Sequence, residues 1–567
     1  MSSPTAHPTP AEVGSDRPPR PAATLVVVRD ADVGIEVLLL RRAERGDHNS
    51  GAWVFPGGVV DAGDREAAPC SMGLDDIGAS ATLGLPQGGL AYYVAAVREC
   101  FEESGLLYAC DASDKGSGPL ITLEDEAAAR IGAWRGPLHR GERTLGELCR
   151  AAGLKLALDR LVYFSHWLTP LGRIKRFDTR FFIAAAPAAQ IAAHDERELV
   201  EQRWLKPADA LAQSQTLKLM TPTQKTLAAI ARFDSVQALL DWARAPREVP
   251  LVMPRVGVGS LGPRPVTPDE PAWAELGRID PAGHGTSSYD IRPGVAVRLS
   301  ERVVRVTANN GSVMTGPGTN SYFVGGGERN EWAVIDPGPL DAAHVRALLA
   351  AAPGAIRWIF ATHTHNDHSP ATVALQAHTG ATVYGRLAAY PEWQDASFAP
   401  GHALQGGERI TLNDETTLRV IHTPGHASNH LCYLLEEERT LFTGDHVMQS
   451  STVVINPPDG DMAAYLVSLR ALLGEQLDWL APGHGFLMAE ARRAIERIID
   501  HRRKREAKVI DALRDLGPAS IEALLAQVYD DVPERMHGVA TRSLKAHLIK
   551  LRDEVVAVES AGRWSLA

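Results

Sequence analysis

Between His363 and His368 the chain reads HTHNDH, three histidines and an aspartate within six residues. His363 and His365 are two apart, so on an extended loop they project to one side. Asp367 and His368 follow directly and can point to a second position. One Zn²⁺ takes three or four nitrogen, oxygen or sulfur ligands. The run offers two ligands to each of two ions, so it reads as half of a two-metal site. Three later turns supply the other half: TPGHASNH brings His426, TGDH brings Asp445, and APGHG brings His484. A lone histidine is usually a surface residue. Seven ligand types in this order, each beside a Gly or Pro turn, are poorly explained as scattered surface side chains. Two metals sharing a water lower its pKa toward neutrality, roughly 7 for zinc-bound water. The bridging hydroxide can then attack a carbonyl or a phosphorus without a serine or cysteine nucleophile.

A second chemical pattern lies near the front. GAWVFPGGVVDAGD spans Gly51 to Asp64, and AYYVAAVRECFEESGLL reads as a helix ending at Gly105. Glu99, Glu102 and Glu103 fall at i, i+3 and i+4 and so share one helical face. Three carboxylates on one face repel unless something positive sits among them. Arg98 can help, but Mg²⁺ or Mn²⁺ with a substrate phosphate is the natural partner, since hard ions prefer oxygen. A solvated acidic face is the blander account. FPGG followed by RE-x-x-EE-x-G argues against it.

These residues need elements to hold them. At 567 residues the chain exceeds one core, and three or four domains are expected. Apolar runs at ATLVVV and IEVLLL look like a strand pair before the acidic helix. The expected order is a Pro/Ser-rich disordered tail over 1–20, an α/β domain over 21–245, and a Pro/Gly-rich linker over 246–293 that partly packs on a domain. An α/β domain over 294–500 and a small helical domain over 501–567 follow. In the fourth segment, strands (RVVRVTA, NSYFVGG, WAVIDPG) alternate with helical stretches such as AAHVRALLAAA, which fits a four-layer αββα sandwich. Asn320 and Tyr322 fall in a Gly-rich stretch expected to be a loop at the rim of the site. The last segment runs helix, helix, β-hairpin, a winged-helix order. It holds 12 Lys/Arg against 10 Asp/Glu from Arg502 onward, so it lacks the strongly basic face of a dedicated nucleic-acid binder. The net charge of -11 points the same way. Five scattered cysteines without CxxC spacing suit reduced thiols in a cytoplasmic protein. No run is long and apolar enough for a membrane span, so no membrane partner is expected.

The order of the histidine and aspartate turns resembles the metallo-β-lactamase superfamily. The resemblance implies that His363, His365 and His426 hold a first Zn²⁺, that Asp367, His368 and His484 hold a second, and that Asp445 bridges them. Asp336, in AVIDPG, matches the family aspartate that braces the site. The common β-lactamases carry a cysteine where Asp445 stands here, which places this chain with the hydrolase branch of thioesterases and nucleases. His422, His430 and His446 lie near the ligands and are equally readable as supporting or as ordinary turn and strand residues. From about Val303 to Leu566, TGPGTNSY, TPGHASNH and TGDHVM resemble the β-lactamase-like protein 2 family. Its animal member is described as a single-strand-directed ribonuclease.

The front pattern resembles the Nudix hydrolase box, with Gly58, Arg98 and Gly105 as supporting residues. That fold is an α/β/α sandwich. Glu99, Glu102 and Glu103 would then bind the ion that activates water. The base could be Glu99, Glu198 or Glu201. Asp64 stands where the box has glutamate, and the stretch from Asp64 to Arg98 is much longer than the box allows. The extra residues are expected to leave as a surface loop. A split box of this kind, with RFDTRFFIA and QRWLKPADAL, is similar to the peroxisomal coenzyme A diphosphatase subgroup.

Two readings follow. In one, a zinc hydrolase of an ester, thioester or phosphodiester is fused to a Nudix unit that cleaves a diphosphate-linked compound, and coenzyme A or acyl-CoA serves both. In the other, the zinc centre is an endoribonuclease acting on single-stranded RNA, with the Nudix unit as scaffold. Oligomeric state has no signature in the sequence.

Overall fold

The computed structural model describes residues 18–44, 50–114, 118–194, 199–214, 216–449 and 452–567. Most of the expected N-terminal tail lies outside the described residues, and so does Glu198. The chain divides into two compact units, Met1–Arg255 and Val256–Ala567.

The first unit is organised by the strand Arg20–Asp30. It runs antiparallel to Ile35–Arg42 and parallel to Phe177–Ala185 within an eight-stranded mixed sheet. Its side chains alternate as a pleated strand requires. Ala23, Leu25 and Val27 face one core, where Val94, Val97 and Phe101 of the helix Leu90–Ser104 meet them. Val26 and Val28 face the opposite core, with Leu227 and Leu239 of the helices Thr221–Ile230 and Val236–Arg244. Helices on both faces of one sheet give the expected α/β/α sandwich. The helix Leu90–Ser104 stops where Gly105 takes φ 75, and its N–H donates to the Phe101 carbonyl at 2.9 Å.

The extra residues between Asp64 and Arg98 are not a surface loop. They form the helices Ala62–Glu66 and Asp76–Leu83 and bring Ala67, Cys70, Ala79 and Leu83 into the core beside the acidic helix. Small apolar residues spaced through a Gly/Ala/Asp-rich run hide this burial from a composition reading.

The second unit stacks two sheets face to face. The first has seven strands and includes Val303–Thr307, Asn320–Gly326, Glu331–Ile335 and Ala355–Phe360. The second has five and includes Thr416–His422, Leu431–Leu435, Thr440–Gly444 and Trp479–Pro482. Tyr322, Val324, Ile335 and Phe360 of one sheet pack on Leu418, Val420, Tyr433 and Phe442 of the other. Helices Ala342–Ala351 and Ala371–Thr379 cover the outer face of the first sheet through Leu348 and Leu375. Met462–Leu472 and the start of Ala491–Leu516 cover the second through Leu466, Leu469 and Ile495. This is the αββα order. Asn320 and Tyr322 lie on the strand expected of NSYFVGG, buried on both faces, and not in a rim loop.

The end of Ala491–Leu516, the helices Ile521–Val528 and His537–Asp553, and the hairpin Ala557–Ser560/Arg563–Leu566 share one small core in winged-helix order. The stretch expected as a linker is folded: Leu251–Val252 pairs with the sheet of the first unit, and from Val256 on it belongs to the second. It carries the helix Trp273–Ile279 and a core of Val266, Ala272, Leu276 and Tyr289. No helix among the described residues is long and apolar enough to cross a membrane.

Candidate metal centre

The site forms where strands of both sheets end. Glu331–Ile335 delivers Asp336, held at φ 52 with its N–H donating to the Phe360 carbonyl at 2.8 Å. Asp336 accepts from the Thr362 N–H at 2.7 Å and from the Thr362 hydroxyl at 2.8 Å. It also lies 2.9 Å from His368 Nδ1. One buried carboxylate therefore fixes the start of the HTHNDH loop and turns His368 Nε2 inward.

Three of the other rings are braced in the same way. His426 Nδ1 meets the Val454 carbonyl at 2.7 Å, His484 Nδ1 meets the Gly318 carbonyl at 3.2 Å, and His363 Nδ1 meets Thr362 Oγ1 at 3.0 Å. Each ring is anchored through one nitrogen and presents the other to a common space.

All seven residues picked out by sequence meet there. His363, His365 and His426 form one group, His363, His368 and Asp445 a second, and Asp367, His368 and His484 a third. Within each group the ligand atoms lie within 4.8 Å of one another. His365 Nδ1 stands 3.0 Å from both His363 Nε2 and His426 Nε2. Asp445 sits between the sets. Its Oδ2 is 3.7 Å from His426 Nε2, while its Oδ1 is 3.4 Å from His368 Nε2 and 3.2 Å from His484 Nε2.

The electrostatics ask for a cation. Burial and the neighbouring rings hold His363 well below the usual histidine range, and burial takes His365 down to about 3. Burial opposes charge on Asp367, yet His368 and His484 hold it down at about 2. Burial likewise disfavours charge on His484, but Asp445 and Asp367 lift it to about 9. Positive charge is thus favoured between the two aspartates. Among the described residues, His368 Nε2 and Asp445 Oδ1 are buried with no hydrogen-bond partner. Orphaned atoms at the centre of an otherwise braced cluster fit a metal. The donors, imidazole and carboxylate, suit zinc and other divalent transition ions.

His430 stacks on His363 with centroids 5.1 Å apart and anchors its Nδ1 on Thr423 Oγ1 at 2.9 Å, so it supports the centre from behind. His446 is buried against Tyr465, and His422 meets the Ser428 carbonyl at 3.3 Å. Thr319 was not singled out by sequence. Its hydroxyl lies 3.3 Å from Asp367 Oδ2, and a threonine in a Gly/Pro-rich run carries no signal of that contact.

The acidic helix face is built differently. Arg98 occupies its middle and donates to Asp64 at 2.7 and 3.0 Å, to Glu99 at 2.9 Å and to Glu102 at 3.3 Å. Glu103 instead accepts from the Gly57 N–H at 3.0 Å. Glu99 lies over Gly58 so closely that a Cβ there would sit 2.2 Å from Glu99 Oε1. Burial raises Glu99 and pushes Glu102 up to about 7, despite Arg98. Among the described residues, the three carboxylates do not form a three-ligand group as tight as those of the second unit. Glu201 is engaged elsewhere, 2.9 Å from Arg41.

Residues 314–484 match the model of the metallo-beta-lactamase superfamily. Residues 72–227 match the NUDT19 Nudix domain, and 520–564 match the beta-lactamase associated winged helix domain. An atrochrysone carboxyl ACP thioesterase of Aspergillus chevalieri is 30% identical over 47% of this chain and 87% of its own length. A beta-lactamase-like protein 2 homolog of Drosophila melanogaster is 30% identical over 45% of this chain and 90% of its own. A Nudix hydrolase from Alicyclobacillus acidocaldarius aligns at 28% identity over 40% of this chain and 97% of that chain, with a TM-score of 0.33. The chain belongs to the metallo-β-lactamase superfamily, as a hydrolase that also carries a Nudix domain and the winged helix associated with β-lactamase folds.

Proposed function

We propose that this protein is a bifunctional hydrolase. Its His/Asp centre cleaves a thioester, and its Nudix unit cleaves a diphosphate-linked compound such as coenzyme A. The observation that carries the first half is the placement of Asp445, with one carboxylate oxygen toward each ligand set. His363, His365 and His426 would hold one Zn²⁺, and Asp367, His368 and His484 the other. When bound, such a pair supplies a water activated at neutral pH and positive charge for a developing oxyanion. Asp336 positions His368 and the Thr362 turn, so the ligand loop keeps its shape before substrate arrives. Thioesterase-named relatives support a thioester over other carbonyl substrates.

In the Nudix unit, Glu99, Glu102 and Glu103 would hold Mg²⁺ or Mn²⁺, with Arg98 ordering the first two. Acyl-CoA contains both scissile bonds, which makes it a shared substrate class. The five buried free cysteines support a reducing, cytoplasmic setting.

The test is mass analysis of products from an acyl-CoA incubated with protein loaded with Zn²⁺ and Mg²⁺. Free acid should vanish only in Asp445→Ala, and split diphosphate only in Glu102→Gln. Intact acyl-CoA in every sample, with RNA cut instead, would reject the proposal.

A further inference from the structure

A cavity of about 940 Å³ opens beside the metal centre, with His484 in its wall. That volume is at the upper end for a small-molecule site. Its lining is dominated by Val258, Ile291, Val313, Met314, Met448 and Phe486. Val313 is 78% exposed and Met314 45% exposed, so large apolar side chains stand open to solvent at a concave surface. Apolar groups gathered in a concavity point to an apolar ligand. The two methionines can adapt to its shape. Asp290 and Arg292 are the charged liners beyond His484.

One wall comes from the stretch before Pro293, outside the superfamily match, which begins at residue 314. That wall is clamped to the metal centre. Glu275 of the helix Trp273–Ile279 accepts from Arg305 at 2.6 and 2.9 Å, and both side chains are buried. Glu275 also accepts from the Leu487 N–H at 2.8 Å, just past His484. Gln449 donates to the Pro271 carbonyl at 3.0 Å and accepts from the Phe486 N–H at 2.9 Å. The wall, the His484 turn and the Met448–Gln449 stretch therefore hold one another.

Resting on the thioester reading, we infer that this cavity seats the apolar acyl group of the substrate, with residues 256–293 setting acyl preference. The two halves of a carrier thioester differ in polarity. The carrier arm has amides and hydroxyls, whereas the acyl group is the part that matches these walls. A carbonyl at the metal centre with its acyl group past His484 uses the cavity as it stands.

The test uses the metal-loaded full chain and N-acetylcysteamine thioesters, which hold no diphosphate for the Nudix unit to cut. Each methylene buried in such a wall is worth roughly two- to fourfold. Wild type should therefore favour octanoyl over butyryl by at least about tenfold in kcat/KM. Ile291→Glu and Met314→Glu should flatten that series, lowering octanoyl kcat/KM by more than they lower butyryl kcat/KM. Both positions are at least partly exposed, so the fold tolerates the change. Calorimetric binding of butyrate, octanoate and dodecanoate gives a readout apart from turnover, with affinity rising with length in wild type only. Length-dependent binding without hydrolysis of any thioester would sink the thioester reading and keep the cavity assignment. A flat series in wild type, or an unchanged slope in both variants, would overturn the inference.

Discussion

The His/Asp centre and the acidic helix face are both clusters of charged or ligating side chains, yet they solve the problem of charge in opposite ways. In the second unit the His368, His426 and His484 rings are tethered from outside with the free nitrogen aimed inward, and among the described residues His368 Nε2 and Asp445 Oδ1 have no hydrogen-bond partner. In the first unit the cation is already built into the chain. Arg98 bonds Asp64, Glu99 and Glu102, and the carboxylates turn toward it or toward the backbone. The first arrangement could hold a metal ion as it stands. The second is neutralised by protein and must be rearranged, with proton loss, to take an ion.

The largest expected effect comes from breaking the first arrangement. Asp445→Ala removes the side chain that faces both ligand sets, and thioester hydrolysis should fall by about 10³-fold or more. Steady-state kinetics after reloading with Zn²⁺ checks this, and near-normal turnover would contradict it. Arg98→Met should do most damage to stability, because it strands buried carboxylates without a counter-charge at a cost of about 3–5 kcal/mol. Denaturant unfolding followed by tryptophan fluorescence would read that loss. Metal affinity at the His/Asp centre should not change in the same variant.

A smaller effect is expected of Asp336→Asn. It keeps the size of the brace but weakens its hold on His368 and Thr362, and zinc affinity should drop about 10–100-fold by competition with a chelator. The smallest effect is one of pH. Burial raises Glu102 from 4.5 to about 7 in the fold, so the folded state binds the proton more tightly than the unfolded chain. Its contribution to stability is full below pH 4.5 and is lost as pH rises through about 7. The ion must displace that proton, so Mn²⁺ affinity at the acidic face should rise with pH across the same window and level off above it. A Mn²⁺ titration that is flat from pH 5.5 to about 7.5 would remove Glu102 from the ligand set.

The contrast also explains what could be read from the sequence. The residues of the His/Asp centre were legible because His426, Asp445 and His484 each sit beside a turn marked by Gly or Pro, and HTHNDH carries the other four within one loop. The strand pair, the acidic helix and its stop at Gly105 were legible from periodicity and from the need for a left-handed residue at the helix end. The folded insertion was not, because Ala67, Cys70 and Ala79 are small and Leu83 stands apart from them, so no periodic apolar face marks a core. Asn320 and Tyr322 belong to NSYFVGG, which reads as a strand, but a strand buried on both faces lacks alternation and gives no sign of its polar partners: Asn320 bonds Thr307 on the next strand and Tyr322 beside it, and both reach Pro482 across the fold. The clamp between Glu275 and Arg305 joins residues 30 apart through tertiary packing alone.

The most direct measurement is the metal content of the purified full chain after dialysis against Zn²⁺. Two tightly held ions per chain are expected, fewer in Asp445→Ala and the same number in Glu102→Gln. Zinc content that is negligible in wild type, or that falls equally in both variants, would contradict a centre shaped for metal by its own braces.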